Sequence, residues 1–208
     1  MEAFTRITAV AAPLLRSNID TDAIIPSREM KLVSKKGLSG GLFANWRYAD
    51  VAARTANPAF VLNNPHYAGA EILIGGVNFG CGSSREHAAW ALREYGFRCI
   101  IAPSFGAIFR SNCIRNGIAP VVLPEDATIA LAAELEGAAS PRLTVDLEAQ
   151  TVTSPAGVHS FTMDAASREQ LLEGLDEIDV TFKQRAAIDA FEAAYRPAHP
   201  WIFRARPI

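Results

Sequence analysis

The sequence predicts an α/β fold in which a partly parallel sheet is flanked by helices. Three observations carry that prediction. Between residues 71 and 123, continuous apolar runs at Glu71–Val77, Arg98–Ala102 and Ile118–Leu123 alternate with stretches of helix-forming residues. Uninterrupted apolar strands separated by helices mark parallel strands covered on both faces. The first run passes into its helix through a glycine-rich turn, Gly75-Gly76-Val77-Asn78-Phe79-Gly80-Cys81-Gly82-Ser83-Ser84-Arg85-Glu86-His87. Residues 143–163 instead alternate apolar and polar around Ser154-Pro155-Ala156-Gly157, the period-two pattern of antiparallel strands.

Taken in order, residues 4–14 predict a strand ending near Pro13. In Asn18-Ile19-Asp20-Thr21-Asp22-Ala23-Ile24-Ile25-Pro26, two acids bracket a threonine ahead of an apolar pair, predicting a turn into a short buried segment. Residues 27–50 are a long irregular stretch, with Lys35-Lys36-Gly37 at its tip and Phe43, Trp46 and Tyr48 as the anchor that packs it back onto the body. Asn57-Pro58 and Asn64-Pro65 predict turns. A strand at 71–77 leads to a helix at 84–95 stopped by Gly96, as a glycine beyond a helix end does. A strand at 98–102, a helix at 105–115 and a strand at 118–123 follow, then a helix over 127–138. The tail predicts helices at 165–174 and 182–195, the second ended by Pro197 and Pro200, with Trp201-Ile202-Phe203 as an apolar end. The whole of 1–208 reads as one domain, with a core over about 5–125 and a C-terminal β and helical extension over about 140–208.

The chain has 208 residues, half of them hydrophobic and a fifth charged, with a formal net charge of −2. A chain this long buries roughly 70% of its unfolded surface and needs no covalent staples. The charge balance offers no footprint for nucleic acid or an acidic membrane. No apolar run reaches the ~20 residues of a membrane span. Met1-Glu2-Ala3-Phe4-Thr5-Arg6 lacks the basic start and apolar core of a secretion signal, so a cytoplasmic location is expected. Cys81, Cys99 and Cys113 never fall in a Cys-x-x-Cys spacing. Buried free thiols are expected at Cys99 and Cys113, and no metal site is expected in this chain.

The chemistry concentrates in the glycine-rich turn. Gly80 and Gly82 allow backbone conformations that a Cβ disfavours. Ser83 precedes Glu86 by three residues, the spacing of a capping box. Helix N–H groups, the positive end of the helix dipole and Arg85 together favour an anion. Other readings of the turn fail. A nucleophile elbow needs Gly-x-Ser-x-Gly, but Ser83 is followed by Ser84-Arg85. A phosphate loop needs Gly-Lys-Ser/Thr, and a dinucleotide fingerprint needs a third glycine. His87 reads as structural. What remains is a cradle of Ser83, Ser84, Arg85, helix N–H groups and a carboxylate from Asp20 or Asp22, suited to a carboxylate substrate. A serine beside an arginine at a helix N-terminus can take a proton next to a carboxylate. Removal of the hydroxyl then calls for a Lewis acid, and the chain offers no ligand set for one. These residues amount to half an active site.

Asn78-Phe79-Gly80-Cys81-Gly82-Ser83-Ser84-Arg85-Glu86-His87-Ala88 resembles the signature of the swivelling domain of the aconitase superfamily. Asp20-Thr21-Asp22-Ala23-Ile24-Ile25-Pro26, Gly41-Leu42-Phe43-Ala44-Asn45-Trp46-Arg47-Tyr48 and, more weakly, Asn112-Cys113 with Asn116-Gly117 match in the same order. Within the superfamily the chain is most similar to the small subunits of 3-isopropylmalate dehydratases. The resemblance implies a swivelling β/β/α domain, inactive alone, that closes over a large subunit with a [4Fe–4S] cluster. It implies isomerisation of 2-isopropylmalate to 3-isopropylmalate by dehydration and rehydration, in leucine biosynthesis. Position by position, it implies Ser83 as the base, Ser84 and Arg85 as ligands of a dicarboxylate substrate, and Asp22 as an acid of the active-site network. It further implies Arg28 as a second substrate-binding arginine, with residues near 28–33 setting specificity. Where relatives often place a bulkier apolar pair, this chain has Arg28-Glu29-Met30. That leaves 2-methylmalate, citraconate or another malate homologue as alternative substrates, and a stand-alone carboxylate-binding module as the alternative outside catalysis.

Overall fold

A computed structural model describes residues 1–30, 34–83 and 85–203. The chain divides after Gly174 into two compact units. The first unit begins with strand β1 (Arg6–Leu14) and the short helix α1 (Thr21–Ile24). After turns at Ser27–Glu29 and Ser39–Gly41 come helix α2 (Ala44–Arg47) and the small hairpin of β2 (Tyr48–Asp50) with β3 (Thr55–Ala56). Strand β4 (Ile72–Gly75), helix α3 (Glu86–Tyr95), strand β5 (Cys99–Ala102), helix α4 (Ala107–Arg115) and strand β6 (Ala119–Val122) form the strand–helix repeat expected from the apolar runs. Helix α5 (Glu125–Gly137), strands β7 (Arg142–Asp146), β8 (Thr151–Ser154) and β9 (Gly157–Ser160), and helix α6 (Ala165–Glu173) complete the unit.

Seven strands make one sheet in the order β6-β5-β4-β1-β7-β8-β9. β1, β4, β5 and β6 run parallel, while β7, β8 and β9 pair antiparallel. β1 is the switch strand: its C-terminal half pairs Ala11 with Ile72 in parallel, and its N-terminal half pairs Ile7 with Val145 in antiparallel. β1 ends one residue beyond Pro13, which sits opposite Ile74.

The sheet separates two apolar cores, and alternate residues of each strand feed them. Leu73, Ile100 and Ala102 face one core with Ala88, Ala91 and Leu92 of α3 and Phe109 of α4. Ile72, Ile74, Cys99 and Ile101 face the other with Leu131 and Leu135 of α5. Each large aliphatic or aromatic side chain so buried contributes about 1.5–3 kcal/mol. Leu38, Leu42 and Phe43 belong to the α3 core, together with Ile24 and Ile25 at the end of α1, so the described part of the 27–50 stretch is fastened to the body by its own apolar side chains. Phe43 is fully buried in a left-handed conformation (φ 49°), stacked on Trp46 at 5.7 Å and tilted against Phe60 at 5.8 Å. It and Trp46 are the expected anchor; Tyr48 adds a hydrogen bond from its hydroxyl to the Gly40 carbonyl at 3.0 Å.

The second unit holds helix α7 (Glu177–Phe182) and helix α8 (Arg185–Ala198). α7, which the sequence did not predict, starts with a capping box in which Asp176 accepts from Ile178 and Asp179 N–H groups at 2.8 Å. Pro197 does not end α8 as expected. It lies in the last turn, where a proline removes a single hydrogen bond, and the turn closes through His199 N–H to the Tyr195 carbonyl at 3.0 Å.

Candidate active site

The turn between β4 and α3 is laced to the chain on two sides. Asn18 N–H donates to Val77 O at 2.8 Å, Gly80 N–H to Ile19 O at 2.7 Å, and Thr21 N–H to Cys81 O at 3.0 Å. On the other side Phe79 N–H donates to Ser104 O and Gly106 N–H to Phe79 O, both at 2.9 Å. Gly80 cannot carry a side chain: its φ is +73°, and a Cβ there would lie 2.1 Å from the Phe109 ring. Gly82, at φ +84°, brings its backbone to the Asp20 side chain, where a Cβ would lie 3.1 Å from the Asp20 Cβ. The glycines therefore let the turn fold flat against the Asn18–Thr21 segment, which sets Ser83 and Arg85 beside Thr21 and Asp22.

The structure gives the two acids different tasks. Asp20 Oδ1 accepts the Ala23 N–H at 2.6 Å and caps α1, so this carboxylate holds the fold. Asp22 pairs with the Arg85 guanidinium. The Asp22 side chain is 50% exposed and that of Arg85 29%, so this pair alone is worth about 0–1 kcal/mol. Ser83 is exposed, and its Oγ lies 3.4 Å from the Thr21 hydroxyl, which is fully buried. Ser83, Thr21, Asp22 and Arg85 thus form one cluster. The sequence assigned Thr21 no role; the one local signal was a hydroxyl between two acids.

The expected capping box does not form. Arg85 occupies the N-cap of α3 and, among the described residues, no side chain caps that helix, so Ser83 stands outside the first turn. Glu86 is taken up elsewhere, its Oε1 accepting from Trp90 Nε1 at 3.2 Å and from Asn116 Nδ2 at 3.1 Å. The correction releases Ser83 from a capping role.

Arg28 stands apart from the cluster. It donates to Asn45 Oδ1, lies 3.6 Å from Glu29, and lines a cleft with Glu29, Lys36, Leu38 and Arg54. Ser84, and residues 31–33 of the expected specificity segment, lie outside the described residues. His87 packs its ring on Trp90 at 4.6 Å.

The sulfurs of this chain do not fit an iron–sulfur cluster. Cys99 and Cys113 are fully buried on opposite faces of the sheet, and burial pushes both thiols far up, away from the thiolate that binds metal. Among the described residues no three His, Cys, Asp or Glu side chains are grouped to hold a metal ion. Nor is any described helix long and apolar enough to cross a membrane.

This fold and turn define an aconitase C-terminal domain, and residues 1–126 match the model of that domain family. Residues 130–165 match the LeuD_N model, and residues 177–205 match the C-terminal domain of the 3-isopropylmalate dehydratase small subunit. The chain is 58% identical over 204 residues to the 3-isopropylmalate dehydratase small subunit of Cupriavidus necator, covering 97% of this chain and 98% of that one. It is 49% identical over 212 residues to the protein of the same name from a serogroup A strain of Neisseria meningitidis, covering 98% and 99%. It shares its fold with the crystal structure of 3-isopropylmalate dehydratase from Methanocaldococcus jannaschii, at TM-score 0.64 and 24% identity, over 90% of this chain and 99% of the other. The chain belongs to the family of 3-isopropylmalate dehydratase small subunits.

Proposed function

We propose that this chain is the small subunit of a hydro-lyase that isomerises 2-isopropylmalate to 3-isopropylmalate by dehydration and rehydration, in leucine biosynthesis, and that it works only with a large subunit. The observation that supports the reading is the cluster of Ser83 and Arg85 with Thr21 and Asp22 of α1, in a chain that matches the family along nearly its full length. Arg85 receives a substrate carboxylate, turning from Asp22 or sharing itself with it, because a guanidinium offers parallel N–H donors to one carboxylate. The Ser84 hydroxyl binds that carboxylate as well, and Arg28 binds the substrate from the cleft it lines. Ser83 Oγ takes the proton from the carbon beside the leaving hydroxyl's carbon, and later returns a proton to the neighbouring carbon, so that hydrogen and hydroxyl exchange places. The buried Thr21 hydroxyl donates to Ser83 Oγ when it is negative, and Arg85 lowers the cost of that charge. A [4Fe–4S] cluster held by the large subunit would supply the Lewis acid for the departing hydroxyl, and among the described residues of this chain none are grouped to hold it.

The test is an anaerobic dehydratase assay on the chain alone, on the large subunit with its cluster, and on their mixture, with 2-isopropylmalate and 2-methylmalate as substrates. Activity on 2-isopropylmalate in the mixture alone is the expected result. Preference for 2-methylmalate would overturn the substrate. A chain that binds dicarboxylates but forms no complex would overturn the catalytic reading altogether.

A further inference from the structure

Glu94 lies more than two turns along α3 from Arg85, outside the cluster, and its carboxylate is held by three consecutive backbone N–H groups. Gly37 N–H donates to Oε1 at 2.5 Å, and Leu38 and Ser39 N–H groups donate to Oε2 at 2.5 and 2.8 Å. These partners are 55–57 residues away in sequence. Burial raises the carboxyl's pKa, but the bonds from Gly37, Ser39 and Leu38 outweigh it and the net shift is downward, so the group is ionised at neutral pH. A left-handed Gly37 (φ +85°) followed by a helical Leu38 (φ −95°, ψ −23°) turns successive N–H groups to one side, the backbone concavity that binds anions. Here the anion is a side chain of the protein itself.

The contact belongs to a stripe. Glu86, Trp90 and Glu94 recur at four-residue spacing and so share a face of α3. The Lys35 ammonium lies 5.4 Å from the Trp90 ring centroid and donates to Asn116 Oδ1 at 3.3 Å, while the Asn116 amide donates to Glu86. Segment 35–39 is therefore strapped along the helix whose preceding residues are Ser83 and Arg85. Gly37 and Leu38 also line the cleft that Arg28 lines.

We infer that Glu94 is a positioning residue, holding the Gly37-Leu38 wall of the Arg28 cleft at a fixed place relative to Ser83 and Arg85, and so tuning how substrate is bound. The inference rests on the function proposed above, in which Arg28 and its cleft take the substrate. No proton moves through Glu94, so its loss acts on binding more than on the chemical step.

Two readouts of Glu94→Gln, which keeps size and removes the charge, test it. On the full chain, limited trypsin digestion is expected to cut after Lys35 and Lys36 about tenfold faster than in wild type, with the melting midpoint little changed; tenfold corresponds to the loss of about one hydrogen bond to a charged group. In the reconstituted enzyme, KM for 2-isopropylmalate is expected to rise about tenfold with kcat within about threefold, the pattern of lost binding rather than lost chemistry. Unchanged digestion overturns the strap. Faster digestion with unchanged KM overturns its role in binding, and a fall in kcat together with the melting midpoint makes Glu94 merely structural, which also overturns it. A wild-type complex inert on both acids would instead defeat the proposed function, and the digestion would still decide the strap.

Discussion

Replacing Ser83 by alanine is expected to lower kcat of the reconstituted enzyme by about a hundred- to ten-thousandfold, the range that a positioned general base contributes. Complex formation with the large subunit should be unaffected. Ser83 is exposed and makes no cap, so among the described residues removing its Oγ leaves no buried partner unsatisfied except the Thr21 hydroxyl at 3.4 Å. Thr21→Val separates the base from its support. Valine matches threonine in shape but cannot donate, and Thr21 is fully buried, so the change acts through Ser83 and not through solvent. Its kcat should fall about tenfold, the worth of one hydrogen bond to a developing charge, with KM unchanged. The measurements are steady-state kinetics on both variants and size-exclusion chromatography of the complexes. Full activity in a well-folded Ser83→Ala complex would remove the base from Ser83; equal activity in Thr21→Val would leave the 3.4 Å contact without a role.

The parts of the fold that were legible are those written in local pattern. β4, β5 and β6 are continuous apolar runs, and α3 ends at Gly96, whose N–H reaches the Leu92 and Arg93 carbonyls. The position of β1 at the centre of the sheet was not legible, because its partners β4 and β7 lie far along the chain and pair with it in opposite senses. The capping box failed for a similar reason. Ser83-x-x-Glu86 has the right spacing, but the competing partner of Glu86, Asn116, comes from α4's end and no local rule reveals it. Local chemistry left Asp20 and Asp22 as equals, since either can bond nearby N–H groups, and the resemblance alone singled out Asp22. Helix α1 separates them: its cap consumes Asp20, and its first turn points Asp22 at Arg85. Glu94 gave no signal at all, being one more charged residue on a helix until residues 37–39 come to it.

Arg85→Gln is expected to lower kcat/KM by about a hundred- to a thousandfold, because two charge-assisted hydrogen bonds to a carboxylate, each worth about 1.5–3 kcal/mol, are replaced by one neutral one. Arg85→Lys keeps the charge but loses the paired geometry, and should recover part of that loss without reaching wild type. Stability should barely register either change. The Asp22–Arg85 pair is half-exposed on the Asp22 side and contributes about 0–1 kcal/mol, so breaking it frees a carboxylate that water can solvate. The contrast between a large kinetic and a small thermal effect is what distinguishes a substrate ligand from a structural ion pair. Kinetics and thermal melts on both variants measure it. If Arg85→Gln loses its activity only in proportion to a lowered melting midpoint, Arg85 holds the turn to α1 and does not hold the substrate. If Lys and Gln are equally poor, the paired N–H geometry rather than the charge carries the binding, and the partial recovery expected of Arg85→Lys is wrong.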